Sequence, residues 1–119
     1  MVSIVGGSAD TTEAVAKQYG IPHWTLDLDE GINRPGVEAV IITSPTQIHA
    51  QQAIHCLNAG KHVEIEIPIA DTLADAKRIV ETQKKTGLVA MGGHTRRFNP
   101  SHQWIHKKIL AGELKIQQM

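Results

Sequence analysis

The sequence predicts an α/β chain built as a doubly wound parallel sheet. Three observations carry that expectation. Short clusters of β-branched and aliphatic residues alternate with Ala-rich stretches at helical spacing, the order expected when strands and helices take turns. Glycine or proline closes most of these segments, so the connections are tight. Only four residues of 119 are aromatic (Tyr19, Trp24, Phe98, Trp104) against a hydrophobic content of 41%, so the core is aliphatic.

Val2 to Val5 reads as a buried strand cut off by Gly6-Gly7. Thr11 or Thr12 can cap a helix through Tyr19, with Ala14, Val15 and Gln18 at helical spacing and Gly20 as its stop. His23 to Thr25 predicts a short strand, followed by a single helical turn ending near Pro35. Glu38 to Thr43 is a near-continuous apolar run, the pattern of a parallel strand covered on both faces. Ser44-Pro45-Thr46 breaks it, and Gln47 to Ala59 follows as a helix. Ala50, Ala53, Ile54 and Leu57 form its apolar stripe, and Gly60 ends it. His62 to Ile67 is the next strand, stopped by Pro68. Asp71 or Thr72 caps a helix carrying Leu73, Ala76, Ile79, Val80 and Gln83, which ends at Gly87. Leu88 to Met91 predicts another strand. Pro100 opens a helix through Leu110, and Lys115 to Gln118 begins one more strand. Strand followed by helix, repeated, is solved by right-handed crossovers between parallel strands.

The length suits one domain. Twelve basic residues balance twelve acidic ones, so no net field recruits nucleic acid or an anionic membrane. Apolar runs such as Val40-Ile41-Ile42 are far too short to span a bilayer. The single cysteine, Cys56, has no internal partner, and its expected setting is a reducing cytoplasm.

A dinucleotide-binding half starts with a strand and a G-x-G-x-x-G turn whose amides and helix end hold the pyrophosphate. Starting that pattern at Gly6 would require glycine where Ser8 and Thr11 stand. Met1 to Gly7 instead reads as the second strand, whose end faces the adenosine ribose. The expectation is therefore a Rossmann-like sheet lacking its first strand and glycine-rich loop. Residues 1–112 are read as a partial dinucleotide-binding domain, and 113–119 as the start of a substrate domain. Without the central strand, neighbouring edges lose their partners, so this chain is expected to be poorly stable and inactive alone.

Three segments carry a resemblance: Ile42-Thr43-Ser44-Pro45-Thr46-Gln47-Ile48-His49, Ala59-Gly60-Lys61-His62-Val63-Glu64-Ile65-Glu66-Ile67-Pro68, and Gly93-His94-Thr95-Arg96-Arg97-Phe98-Asn99-Pro100. In this order and spacing they resemble the glucose-fructose oxidoreductase / inositol dehydrogenase family of NAD(P)-dependent enzymes. The stretch Val63 to Asp71, with Gly93 to Trp104, is similar to a narrower subgroup. That subgroup oxidises the cyclic hemiacetal of a carboxylated muconate semialdehyde in protocatechuate 4,5-cleavage, with NADP as acceptor. Family members usually read Glu-Lys-Pro, the lysine handling protons beside the nicotinamide. Here Ile67 can neither donate nor accept one, as in the subgroup.

The resemblance implies a dehydrogenase using NADP, with NAD as the other candidate, a carboxylated small-molecule substrate, and a homo-oligomeric full-length protein. A sugar or polyol dehydrogenase, a nucleotide-binding module without turnover, and a structural protein assembled through sheet edges are the competing readings.

Thr43, Ser44, Pro45 and Thr46 end a parallel strand, where open α/β sheets place their ligands, and are read as lining the dinucleotide channel. An ordinary turn with Thr46 as N-cap is the plainer alternative. His49, which closes the first resembling segment, is grouped with the cofactor residues, although its side chain alone reads as packing or hydrogen-bonding. By resemblance, Glu66 contacts the nicotinamide ribose and Pro68 follows a cis bond. Gly7 and Ser8 stand where a dinucleotide fold meets the adenosine ribose. Their small size and the Ser8 hydroxyl would admit a 2′-phosphate, which favours NADP, but no arginine stands beside them to hold it, and a tight glycine turn is the plainer alternative. Arg96 and Arg97 follow the last strand at the ligand edge, where forked donors suit a cofactor and a substrate carboxylate respectively, one of them being expected to pair with an acid or a helix end. His94 ends a strand beside them and is the candidate catalytic base, with a base in the substrate domain as the alternative. His102 and His106 are spaced i, i+4, but no third ligand is evident and Lys107 and Lys108 oppose a cation, so no metal is expected.

Overall fold

β-Branched residues and glycine stops generate two parallel sheets in a computed structural model whose described residues are 1–117. The first pairs β1 (Ile4–Val5) with β2 (Trp24–Thr25), and the second has the order β3 (Ala39–Ile42), β4 (His62–Glu66), β5 (Ala90–Gly93). Helices α1 (Ala9–Tyr19), α2 (Leu28–Ile32), α3 (Thr46–Asn58), α4 (Leu73–Thr86) and α5 (Pro100–Leu110) alternate with them, and a 3₁₀ turn covers Thr95–Phe98. In the strand order of a dinucleotide fold, one strand stands between β1 and β3. Among the described residues none does, so the sheet is split where the sequence analysis left a gap.

Caps and stops follow simple chemistry. Gly20 and Gly87 end α1 and α4 in the left-handed conformation (φ 64° and 70°) that glycine adopts without strain. The Thr72 hydroxyl accepts from the Asp75 amide and starts α4, so it, not Asp71, is the cap. α1 starts earlier than expected, with Ser8 at the N-cap position. Thr12 is spent differently, its buried hydroxyl donating to the Ser8 carbonyl at 2.5 Å. Thr12 and Ala16 face inward, while Ala14 is exposed.

The main core lies between the three-stranded sheet and helices α3 and α4. It comprises Ile42, Val63 and Ile65 from the strands, Ala50, Ala53, Cys56 and Leu57 from α3, Ile79 from α4, and Ile32 from α2. Ile32 therefore belongs to the core of the second sheet although α2 also contacts the first. An Asp29–His55 contact of 2.5 Å and a bond from Lys61 Nζ to the Val37 carbonyl at 2.8 Å strengthen that junction. Burial pushes the Cys56 thiol up to about 11, with a smaller contribution from the Asp29 charge.

Several expectations need correction. β3 is covered on one face only: Ile42 is buried, but Ile41 is 64% exposed. By register Ile41, Glu64 and Met91 form one row across that open face. β5 begins at Ala90, two residues late. The Leu88 carbonyl accepts from the Gln83 side chain, and Val89 meets β4 by donating its amide to His62 Nδ1 and accepting the Val63 amide on its carbonyl. Lys115 to Gln117 form no strand, and Gln118 lies outside the described residues. Helix α5 keeps its expected bounds but has no buried residue. The Cα radius of gyration is 17.5 Å, against about 13–14 Å for a compact domain of this length. No helix among the described residues is long and apolar enough to cross a membrane.

Candidate active site

Parallel pairing lines up the carboxyl ends of β3, β4 and β5. Ile42 is level with Ile65, and Glu66 with Gly93. Thr43 therefore follows β3 alongside Glu66, and His94 follows β5 on the other side. Neighbouring strands are about 4.8 Å apart, so the three residues share one rim. The structure brings together Thr43 to Thr46, Glu66 to Pro68, and His94 to Arg97.

The first loop presents Thr43 and Pro45 to solvent. Its Ser44 hydroxyl donates to Gln52 Oε1 at 2.5 Å. Pro45 occupies the N-cap position of α3 and Thr46 is the first helical residue, so Thr46 is not the cap. In the second loop the half-buried Glu66 accepts the Ile67 amide at 3.0 Å, and the Ile67–Pro68 bond is cis. Ile67 is 39% exposed, which puts an apolar side chain on the rim. In the third, His94 precedes the 3₁₀ turn with its amide on the Gly92 carbonyl at 2.8 Å. Its ring leans back over Gly92, with Nε2 3.4 Å from where a Cβ would stand. Arg96 and Arg97 are exposed in that turn, and neither forms an ion pair among the described residues. The pairing with an acid expected for one of them is not seen.

Gly7 and Ser8 lie at the carboxyl end of β1, on the other sheet. Ser8 Oγ is 2.6 Å from Thr11 Oγ1, and nothing lies within 4 Å of a Cβ placed on Gly7, so that turn is open. Asp10 in the first turn of α1 is exposed. His102 and His106 lie exposed on α5.

His49 requires a correction. It is 1% exposed, with Nδ1 2.8 Å from the Pro68 carbonyl and Nε2 2.5 Å from the Ser44 carbonyl. Both ring nitrogens are spent on backbone, so His49 lies beneath the rim and has none left for a cofactor. Sequence reasoning missed Gln52, although its i, i+3 spacing from His49 on a helix could have placed the two together.

The donor set fits part of a nicotinamide dinucleotide. A carboxylate at Glu66 and exposed backbone at Thr43 and Pro45 suit a ribose and its attached ring, and the open Gly7-Ser8 turn suits the adenosine end. No glycine cradle for a pyrophosphate occurs among the described residues.

The model of an oxidoreductase family with an NAD-binding Rossmann fold matches residues 1–94. The whole chain is 57% identical to 38% of the 4-carboxy-2-hydroxymuconate-6-semialdehyde dehydrogenase of Sphingobium sp. strain SYK-6. It is 36% identical over 86% of its length to the scyllo-inositol 2-dehydrogenase (NAD(+)) of Bacillus subtilis, covering 30% of that protein. A probable dehydrogenase from Thermotoga maritima superposes with a TM-score of 0.88 at 29% identity, over 94% of this chain and 34% of that one. The chain thus spans about a third of the length of the relatives it matches.

Proposed function

The chain belongs to the oxidoreductase family with the NAD-binding Rossmann fold, and from that premise we propose that it is the cofactor-binding part of an NADP-dependent hemiacetal dehydrogenase. The substrate is the cyclic hemiacetal of 4-carboxy-2-hydroxymuconate semialdehyde, and the product is 2-pyrone-4,6-dicarboxylate. The observation that carries this reading is the 57% identity across all 119 residues to a relative named for that semialdehyde. The cytoplasm is the compartment, residues from 113 onward lead into a substrate domain, and the full-length protein is a homo-oligomer.

The nicotinamide, when bound, supplies a hydride acceptor. The hemiacetal carbon loses a hydride and its hydroxyl loses a proton, which balances as a two-electron oxidation to a lactone. His94 takes the proton that Ile67 cannot. Glu66 orients the ribose by accepting from its hydroxyls, while Thr43 to Thr46, Pro68 and Arg96 shape the channel around the cofactor. Arg97 binds a substrate carboxylate through its forked donors. Gly7 and Ser8 receive the adenosine 2′-phosphate, which is the basis for preferring NADP over NAD.

The test is a chimera in which these 119 residues replace the matching stretch of the Sphingobium relative. NADP-dependent oxidation of the carboxylated hemiacetal is expected, and His94→Ala is expected to lower kcat about a hundredfold. An unchanged kcat at every pH removes His94 as the base. The 36% match to a scyllo-inositol dehydrogenase favours a polyol substrate as the second reading. Turnover of inositols in preference to the hemiacetal would establish it, and NADPH binding without turnover of either would point to a nucleotide-binding module.

A further inference from the structure

We propose that His49 is a positioning residue that staples two rim loops together and so fixes the floor on which the cofactor rests. The proposal rests on the nicotinamide reading of the rim given above.

The geometry is specific. Ser44 follows β3 and Pro68 follows β4, on adjacent parallel strands. One imidazole reaches both, 2.5 Å from the Ser44 carbonyl and 2.8 Å from the Pro68 carbonyl. A carbonyl oxygen only accepts, so each bond needs a hydrogen on the nitrogen that faces it; a singly protonated ring makes one of the two bonds, and the full bridge takes the doubly protonated ring. Exposure of 1% keeps water from competing for either bond. The ring is carried by α3, which packs on α4 and β4. Gln52, one turn further along α3, takes the Ser44 hydroxyl at 2.5 Å. One helix thus grips the first loop twice and the second once. Thr43 and Pro45 above one grip, and Glu66 and Ile67 beside the other, are held at a set separation. If either bond is lost, that loop can move independently of its neighbour, and cofactor groups that contact both lose their shared footing.

The two bonds can be separated by substitution in the chimera. Asparagine places an amide near the Nδ1 position and keeps only the Pro68 grip; glutamine places one near Nε2 and keeps only the Ser44 grip. Both His49→Asn and His49→Gln are expected to raise the Kd for NADPH, read by fluorescence titration, about tenfold. Ile79→Val, a core change in the same layer, is expected to leave that Kd unchanged, which separates positioning from general loosening. A Kd within twofold of the parent in either His49 variant overturns the bridge, as does an equal rise in Ile79→Val.

Should the His49 variants fail to fold, the unsubstituted chimera with ¹⁵N-labelled histidine decides. Ring N–H signals of His49 that move on adding NADPH support the proposal, and signals that stay put overturn it. A chimera that binds NADPH but oxidises no hemiacetal refutes the substrate reading and leaves this test intact. One that binds no NADPH overturns both.

Discussion

Gly6 and Gly7 are neighbours of identical chemistry, yet packing uses only the first. A Cβ on Gly6 would stand 1.8 Å from Thr12 Oγ1 and 2.8 Å from both Cβ and Cγ2 of the same residue. Thr12 is buried and its hydroxyl is committed to the Ser8 carbonyl, so it cannot swing aside. Gly6→Ala is expected to destabilise the chimera by about 1–3 kcal/mol, as overpacking does. Gly7→Ala, with no neighbour to meet, should stay within about 0.5 kcal/mol. Urea unfolding of the two variants checks the difference. The pair reads as a turn in the sequence, but only coordinates reveal which glycine the helix leans on. His49 teaches the same lesson. Its place in a resembling segment was legible, whereas its burial depends on two carbonyls 5 and 19 residues away.

At the scale of elements, local chemistry was the readable part. Pro100 and Asn99 open α5, Thr72 and Gly87 bound α4, and each element runs where its caps place it. The cover over β3 was not readable, because an apolar run reports hydrophobicity and not how many faces a helix reaches. The strand at β2 and the helical turn at α2 were legible, but the bonds that join them were not. There Thr25 donates to Glu30, His23 Nε2 lies 3.3 Å from the same carboxylate, and Asp27 caps the helix by accepting the Glu30 amide. The bond from Thr25, then that from His23, holds the Glu30 carboxyl below its ordinary 4.5. A depressed carboxyl supports the fold above its unfolded value and stops doing so as pH falls through its folded value. The melting temperature of the chimera is therefore expected to fall as pH drops below 4.5. Glu30→Gln should flatten that limb, and melting curves across the acid range measure it.

For the whole molecule, the sheet is broken into two pieces that meet through α2 and the segment after it. The gap was legible in the residues, because a glycine fingerprint has a fixed place in strand order and none occurs in these 119 residues. A radius of gyration well above the compact value agrees with that division. The 119-residue chain on its own is expected to show no cooperative thermal transition. Calorimetry on a monomeric sample tests this, and a sharp two-state peak would contradict it. The bare face of the larger sheet has its own consequence. Ile41 and Met91 are both solvent-accessible, and a flat apolar surface of that kind invites a second copy to lie against it. Glu64 sits between them in the same row. Two copies stacked there would each sink an unpaired anion into hydrocarbon, at several kcal/mol apiece. A single carboxylate thus makes stacking of two copies on this surface costly.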